Sequence, residues 1–481
     1  MIRRISGWGA AGVVLSLCAP ALAQTAGGAP AGGISSPADL GTAVSAQIAC
    51  ASIFVTGRSE ADVLRDDIHA LAPFTKPVTL AIDRQRNTVT ASAPSATSRT
   101  ALYRPEVGCT LLTGNVAPEL LNRQSAKLRP MKLRSTAPWP QGDAHPRGTA
   151  PRVDRAALNA AVDAAFVEQN KDGYPDTRAI IVVQGGQIVA EQYAPGFDRN
   201  SRLLGWSASK SVNATLVGLL VDDGVLKLDG PAPVPEWQGA GDPRGKITLR
   251  QLLTMSSGLR FAEPYNPGSD SIAMLFGASD MGAMAAALPL DKAPGTSWSY
   301  SSGTSNILAR IVFQATGGSL DAVTRFARKR LFEPAGMTTT VFEPDEAGVP
   351  MGSSYAYATA RDWARFGLLY LDDGVAGGKR LLSRDWVEFV KTPTPASLRP
   401  SYGGQFWLNQ GDEAGDKRRV FKDLPTDTFM AMGHNHQIVA VIPSRDAVIV
   451  RLGWTPEQQV FDFNKYLSAI VGALAPGKPA R

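Results

Sequence analysis

Histidine and cysteine are scarce in this chain of 481 residues, with four and three copies respectively. So few histidines leave little room for histidine-based metal chemistry, and so few cysteines exclude a disulfide-dense scaffold. Also missing are a G-x-S-x-G turn, an H-E-x-x-H helix and a phosphate-binding loop, which removes three large hydrolase classes. No basic run with interleaved aromatics occurs, and a formal charge of +6 makes no case for nucleic acid. There is no internal repeat. What is there is a chain with 44% hydrophobic and 19% charged residues, enough apolar side chain for a substantial core and more than one domain.

The first 23 residues read as a signal peptide. "MIRR" supplies positive charge, "GWGAAGVVLSLCAPALA" an apolar run, and Ala21-Leu22-Ala23 the small residues before a cleavage site. Leu17, just before Cys18, is bulkier than a lipoprotein site accepts. The protein is therefore expected to be exported, periplasmic or secreted, and Arg3 and Arg4 leave with the leader. Beyond it no stretch offers about 18 consecutive apolar residues, so no transmembrane segment is expected after cleavage. Export makes the remaining two cysteines, Cys50 and Cys109, candidates for a disulfide. Closing a loop of about 60 residues would stabilise the region by roughly 4 kcal/mol. The other outcome is a pair of buried free thiols.

Composition then divides the chain. Residues 24–39 are Ala-, Gly-, Ser- and Pro-rich and are expected to form a flexible lead. Residues 40–130 mix a helical pattern, "SEADVLRDDIHAL", with strand-like "VTLAID" and "NTVTAS", a small α/β module that holds both cysteines. Residues 131–152 are proline-rich and read as a linker, and the main domain spans 153–475. Within it, "AIIVVQGGQIVAEQYA" predicts a hairpin turning at Gly185-Gly186. From Ser207, Val212, Leu216, Leu219 and Leu220 recur at helical spacing, with Gly224 at the C-terminal cap.

That helix opens with "GWSASKSV", which sets Ser207 one turn ahead of Lys210. A serine hydroxyl becomes a nucleophile when a base lies within hydrogen-bond reach, and a desolvated lysine can be that base. A helix N-terminus also offers free backbone N–H groups to an oxyanion. Alone, the spacing is equally that of a serine N-cap.

Four more segments follow: "ITLRQLLTMSSGL", "WSYSSGTSNILARIV", "YAYATARDWARFGLLYLDDG" and "GHNHQIVAVIPSRDAVIVRLG". In order and spacing the five resemble the β-lactamase-like serine hydrolases, with the flavour of the nylon-oligomer (aminohexanoate-dimer) hydrolase branch. The resemblance covers about residues 175–470. It implies an α+β, β-lactamase/transpeptidase-like fold, with an antiparallel sheet flanked by helices and an all-helical subdomain, and the strand-like runs in the sequence at 178–192 and 436–453 agree. It implies Ser207 as nucleophile, Lys210 as its base and Tyr300 as a proton shuttle whose pKa the lysine would lower. Ser302, third in "YSS", stands where lactamases carry asparagine.

By the same resemblance, His434 falls at the lysine of the lactamases' Lys-Thr-Gly strand, Asn435 at the threonine and His436 at the glycine. Gln437 would then supply the second oxyanion-hole N–H beside that of Ser207. Tyr265, in "RFAEPYNPGSD", matches a substrate-facing loop tyrosine. Ester, amide or lactam are the implied small-molecule substrates, with no cofactor and no metal.

Three other readings stand beside this one. The chain could be a β-lactamase or D,D-peptidase, or a silent binder of cell wall or partner on the same scaffold, with turnover lost through His436. His434 and His436, alternating on a strand, could instead be metal ligands with Asp423 or Asp427. In "ITLRQLLTMSSGL", Thr248 and Gln251 have capping-box spacing, the helix is expected to run to Gly258, and Ser256 and Ser257 read as capping and turn residues.

Overall fold

The computed structural model describes residues 33–114, 116–125, 127–132, 136–144, 151–167, 176–411, 419–456 and 462–477. The expected leader and His145 lie outside the described residues.

The N-terminal module opens with α1 (Pro37–Cys50), capped by Ser36, whose hydroxyl accepts the Asp39 N–H. Helix α1 thus begins inside the span expected as a flexible lead. It continues through a wide turn, Ala51–Thr56, and α2 (Glu60–Val63) follows. Pro37–Thr56 is long and apolar enough to cross a membrane, although no such segment is expected from the sequence; 89% of its apolar 18-residue window is buried inside the protein. It lies across a four-stranded antiparallel sheet of β1 (Thr79–Asp83), β2 (Thr88–Ser92), β3 (Arg99–Arg104) and β4 (Gly108–Leu111). Cys50 at the end of α1 is disulfide-bonded to Cys109 in β4. Helix α3 (Pro118–Ser125) packs beside β3. Of the expected linker, the described stretch 136–144 is held down. Trp139 is buried, and Arg365 donates to the Pro140 and Gly142 carbonyls.

In the main domain, α4 (Arg155–Ala164) precedes the hairpin β5 (Thr177–Gln184) and β6 (Gln187–Tyr193), turning at Gly185-Gly186 where both φ values are positive. Short β7 (Arg202–Leu204) leads into α5 (Ser209–Asp222). The helical part follows, with α6 (Leu249–Leu253), α7 (Asp270–Gly277), α8 (Met281–Ala286), α9 (Ser302–Ala315) and α10 (Leu320–Ala327). Helix α6 has the Thr248–Gln251 capping box but stops at Leu253, before the expected Gly258, because Thr254 leaves helical geometry. Next come β8 (Val341–Phe342), β9 (Ala356–Thr359), α11 (Ala360–Leu371), the small hairpin β10 (Val375–Ala376) and β11 (Lys379–Arg380), and α12 (Arg384–Lys391). The chain returns to the main sheet as β12 (Trp407–Leu408), β13 (Phe429–Gly433), β14 (Gln437–Ile442) and β15 (Ala447–Gly453), and α13 (Phe463–Ala473) follows.

The main sheet is antiparallel in the order β12-β13-β14-β15-β5-β6, so strands from both ends of the domain meet where β15 pairs with β5. Successive side chains point to opposite faces. Ile180, Val182, Ile438, Ala440 and Ile449 join the core under α4 and α13, and Ile181, Val183, Val439 and Val448 join the larger core with α11. Burial on both faces explains the near-continuous apolar runs, each fully buried Val or Ile contributing about 1.5–3 kcal/mol. The larger core is continuous with that of the N-terminal module.

One strand begins later than expected. His434–His436 form a tight turn between β13 and β14, with Asn435 and His436 at φ 56° and 59°. The two imidazoles therefore do not share a strand face. His434 sits against Trp206 and Tyr265, while His436 stacks on Phe463 with ring centroids 4.1 Å apart. The metal-ligand reading fails on this geometry, and among the described residues no group of three His, Cys, Asp or Glu could hold an ion.

Candidate active site

Ser207 lies in a single 3-10 turn, Trp206–Ala208, that runs into α5. The N–H of so early a residue has no intrahelical acceptor. Trp206 holds φ +45°, a conformation bulky side chains rarely adopt and one that costs about 1–3 kcal/mol. Its buried ring is wedged among Tyr355, His434 and Trp454. Gly205 is required just before it, since a Cβ there would come within 2.3 Å of the Trp363 ring. The nucleophile candidate is thus presented by a strained, tightly packed turn.

One helical turn on, the Lys210 side chain is almost completely buried. Its Nζ donates to Ser207 Oγ at 3.0 Å, Ser302 Oγ at 3.1 Å and the Ser353 carbonyl at 3.0 Å. Burial pulls the amine down to about 8, against the opposing pull of the Glu263 charge. The ammonium's third bond direction ends on a main-chain oxygen, so any residue type at 353 would serve.

Ser302 opens α9. Its hydroxyl donates to Glu263 Oε1 at 2.6 Å and its N–H to Oε2 at 2.7 Å, leaving a lone pair turned to Lys210. Burial pushes the Glu263 carboxyl up, and Lys210 and the Ser302 donors oppose that rise. The Tyr265 hydroxyl donates to the same carboxylate at 3.4 Å, and its ring lies 6.0 Å from that of His434.

Tyr300 sits with its ring face over the lysine, Nζ being 4.9 Å from the centroid. The expectation that lysine lowers this phenol's pKa is reversed. Burial, with the Glu263 charge adding to it, raises the pKa, and the Ser207 hydroxyl offsets this only in part. Tyr300 is therefore a proton donor at rest and Lys210 the group poised to accept. Trp298, Tyr402 and Trp407 continue an aromatic wall from Tyr300, with ring separations of 5.1–6.5 Å.

The strand beside Ser207 is the end of β13. A Cβ on Gly433 would lie 2.1 Å from the Gly205 carbonyl and 2.9 Å from the Ser207 nitrogen, so only glycine lets the two segments touch. The expectation for Gln437 is corrected accordingly. It pairs across the hairpin with Gly433, and its side chain is spent on the His434, Asn435 and Gly453 carbonyls and the Gly453 N–H. The motif is offset, with Gly433 in the glycine position expected for His436 and His434 next to the site.

Ser207, Lys210, Tyr300, Ser302, Tyr265 and His434 thus converge from the turn into α5, the first turn of α5, the α6–α7 loop, the segment leading into α9 with its first residue, and the β13–β14 turn. Gln437 lies outside, as does the Cys50–Cys109 pair. Ser256 bonds Thr254 and Ser257 accepts the Leu259 N–H, both local turn roles. Sequence reasoning missed Glu263, although it lies two residues before Tyr265 in a segment already singled out. It also missed Ser353, which had no signal to give.

This constellation can be compared with known proteins. A family model described as Beta-lactamase matches residues 162–468. The chain belongs to the Beta-lactamase family. It is a serine hydrolase by that membership, with the β-lactamase/transpeptidase-like fold. It is similar to the 6-aminohexanoate-dimer hydrolase of Paenarthrobacter ureafaciens, at 29% identity over 61% of this chain and 77% of that one. Among solved structures it resembles a candidate 6-aminohexanoate-dimer hydrolase from Bacillus anthracis (TM-score 0.53, 19% identity, 87% of this chain and 95% of that one). It also resembles a penicillin-binding protein homologue from Caulobacter crescentus (TM-score 0.51, 17% identity, 68% and 99%). At these identities the structural likenesses concern fold alone.

Proposed function

We propose that this Beta-lactamase-family hydrolase is exported and cleaves an ester or amide bond through an acyl-enzyme on Ser207. The observation that carries this reading is the buried Lys210 amine, pulled down to about 8 and 3.0 Å from Ser207 Oγ. Neutral Lys210 takes the Ser207 proton as Oγ adds to the substrate carbonyl. The oxyanion is held by the Ser207 N–H and the N–H of His434, which follows the glycine packed on the nucleophile. As the carbonyl re-forms and the bond to the leaving group breaks, Tyr300 protonates the departing oxygen or nitrogen and is reprotonated by the Lys210 ammonium. Water then adds to the acyl-enzyme with the roles reversed, releasing the acid and restoring Ser207. Every proton is carried by the chain's own groups.

An ester or amide is favoured over a lactam because Ser302 Oγ, in the position of the lactamases' asparagine, is already engaged by Lys210 and Glu263. Export is supported by the leader pattern and by the Cys50–Cys109 disulfide. The test is p-nitrophenyl ester and nitrocefin turnover by purified protein beside Ser207→Ala, with a fluorophosphonate label mapped by mass spectrometry. Ester turnover without nitrocefin turnover, lost in the variant, together with a label on Ser207, is the expected result. No turnover and no label would leave a silent binder. A mature N-terminus at Gln24 in protein recovered outside the cytoplasm is expected from export; an intact Met1 there would refute cleavage.

A further inference from the structure

The N-terminal module meets the active site through one buried carboxylate. Glu343, at the end of β8, is fully buried, and burial raises its pKa despite the donors it faces. It accepts the Cys109 N–H of β4 at 2.7 Å and the Gln47 side-chain amide of α1 at 2.7 Å. Gln47 precedes Cys50 by one helical turn, so the Cys50–Cys109 bridge links the two elements that supply these donors. Gly108 permits the approach. Its φ is +79°, and a Cβ there would lie 2.7 Å from Glu343 Cγ. Further contacts extend the seam, with the Thr110 hydroxyl donating to the Pro344 carbonyl and the Thr113 N–H to Glu346.

The main chain of Glu343 is bonded on both sides of Ser353. Its carbonyl accepts the Met351 N–H at 2.8 Å, and its N–H donates to the Tyr355 carbonyl at 3.0 Å. Ser353, between those two residues, presents the carbonyl that is the third acceptor of the Lys210 ammonium. A second contact braces the other approach, where the Thr56 hydroxyl donates to the Arg202 carbonyl in β7, the strand leading to Ser207.

We propose that the N-terminal module is a positioning element of the active site, in which Glu343, gripped by Gln47 and Cys109, fixes the 343–355 hairpin and so the Ser353 carbonyl on Lys210. This rests on the reading of Lys210 as the base for Ser207. Around Nζ the other groups are Ser207 Oγ, Ser302 Oγ backed by the Glu263 carboxylate, and the Tyr300 ring. Losing the Ser353 carbonyl removes an acceptor that favours the ammonium, so the amine loses its proton more readily.

The experiment uses the full chain and compares Glu343→Ala and Glu343→Gln with wild type, reading kcat/KM against pH on a p-nitrophenyl ester, with thermal midpoints alongside. Glutamine keeps an acceptor for the Cys109 N–H and presents its NH2 to Gln47, whose otherwise unpartnered Oε1 can accept it once the amide flips, and is expected to behave as wild type within about twofold. Alanine leaves two buried donors facing a gap; a carbonyl displaced by an ångström is expected to lower kcat/KM by about 10–100-fold and move the acidic limb to lower pH. An alanine variant with a lower melting point but an unchanged limb and rate would overturn the proposal, leaving the module a purely stabilising element. Should that variant fail to fold, Gln47→Ala removes one donor only, and an unchanged limb and rate there would overturn it equally. Wild type that takes no phosphonate at Ser207 overturns the reading of the site itself; labelled wild type with an unmoved alanine variant overturns only this inference.

Discussion

Glu263 offers the sharpest test of the site's electrostatics. The bonds of 2.6 Å and 3.1 Å through Ser302 Oγ hold its carboxylate no farther than about 5.7 Å, the two laid end to end, from Lys210 Nζ, where opposite unit charges attract by about 3 kcal/mol at an effective dielectric constant of about 20. That attraction stabilises the ammonium and opposes the burial that pulls the amine down to about 8. In Glu263→Gln the charge is gone and the burial remains, so the amine falls further, by up to about two pH units. In wild type, kcat/KM for an ester is expected to rise about tenfold per pH unit and level off above about 8, because only the neutral amine accepts the serine proton. In the variant that limb is expected near 6–7, while the plateau falls because Ser302 loses part of its anchor. The limb's position, not the plateau, is the readout, taken from stopped-flow or plate assays over pH 5 to 10 at constant ionic strength. A limb that stays put or moves up would refute the coupling.

Three further outcomes follow from the same geometry. Tyr300→Phe is expected to lower kcat/KM by about 10²–10³ on alkyl esters and amides, whose leaving groups need a proton, and far less on p-nitrophenyl esters; equal losses on both would count against the donor role. Gly433→Ala would put a Cβ 2.1 Å from the Gly205 carbonyl, and is expected to abolish turnover while the far-ultraviolet circular dichroism stays native; wild-type kinetics would show that β13 is not held on the nucleophile. Cys50→Ala/Cys109→Ala opens a crosslink between positions 59 residues apart and is expected to cost about 4 kcal/mol in chemical denaturation, matched by wild type under reductant; a change below about 1 kcal/mol would refute the cross-link estimate.

Local pattern made much of the site legible. Ser207 and Lys210 one turn apart, the Gly185-Gly186 hairpin and the Thr248–Gln251 capping box depend on contacts within a few residues of chain, and each forms as its pattern predicts. What failed depended on packing between distant segments. The motif offset at Gly433 arose because a histidine pair was aligned by type, whereas the close approach of two backbones selects the glycine. The tyrosine's pKa was judged from one neighbour, the lysine, when burial and a carboxylate from another loop dominate. Helix α1 was overlooked because its alanine-rich pattern has no polar face; it is buried nearly all round, against its own sheet and the main domain.

By itself, then, the sequence determined the family and with it the reaction class, since five segments in order, opened by a serine and a lysine at helical spacing, are more specific than any one of them. Only the tertiary structure decided how those groups are tuned. The Ser353 carbonyl, the Glu263 charge and the clamp from Glu343 reach Lys210 across 53 to 143 residues of chain. A backbone carbonyl has no residue code, and a buried charge acts through distance and exclusion of water, which exist only once the core has closed.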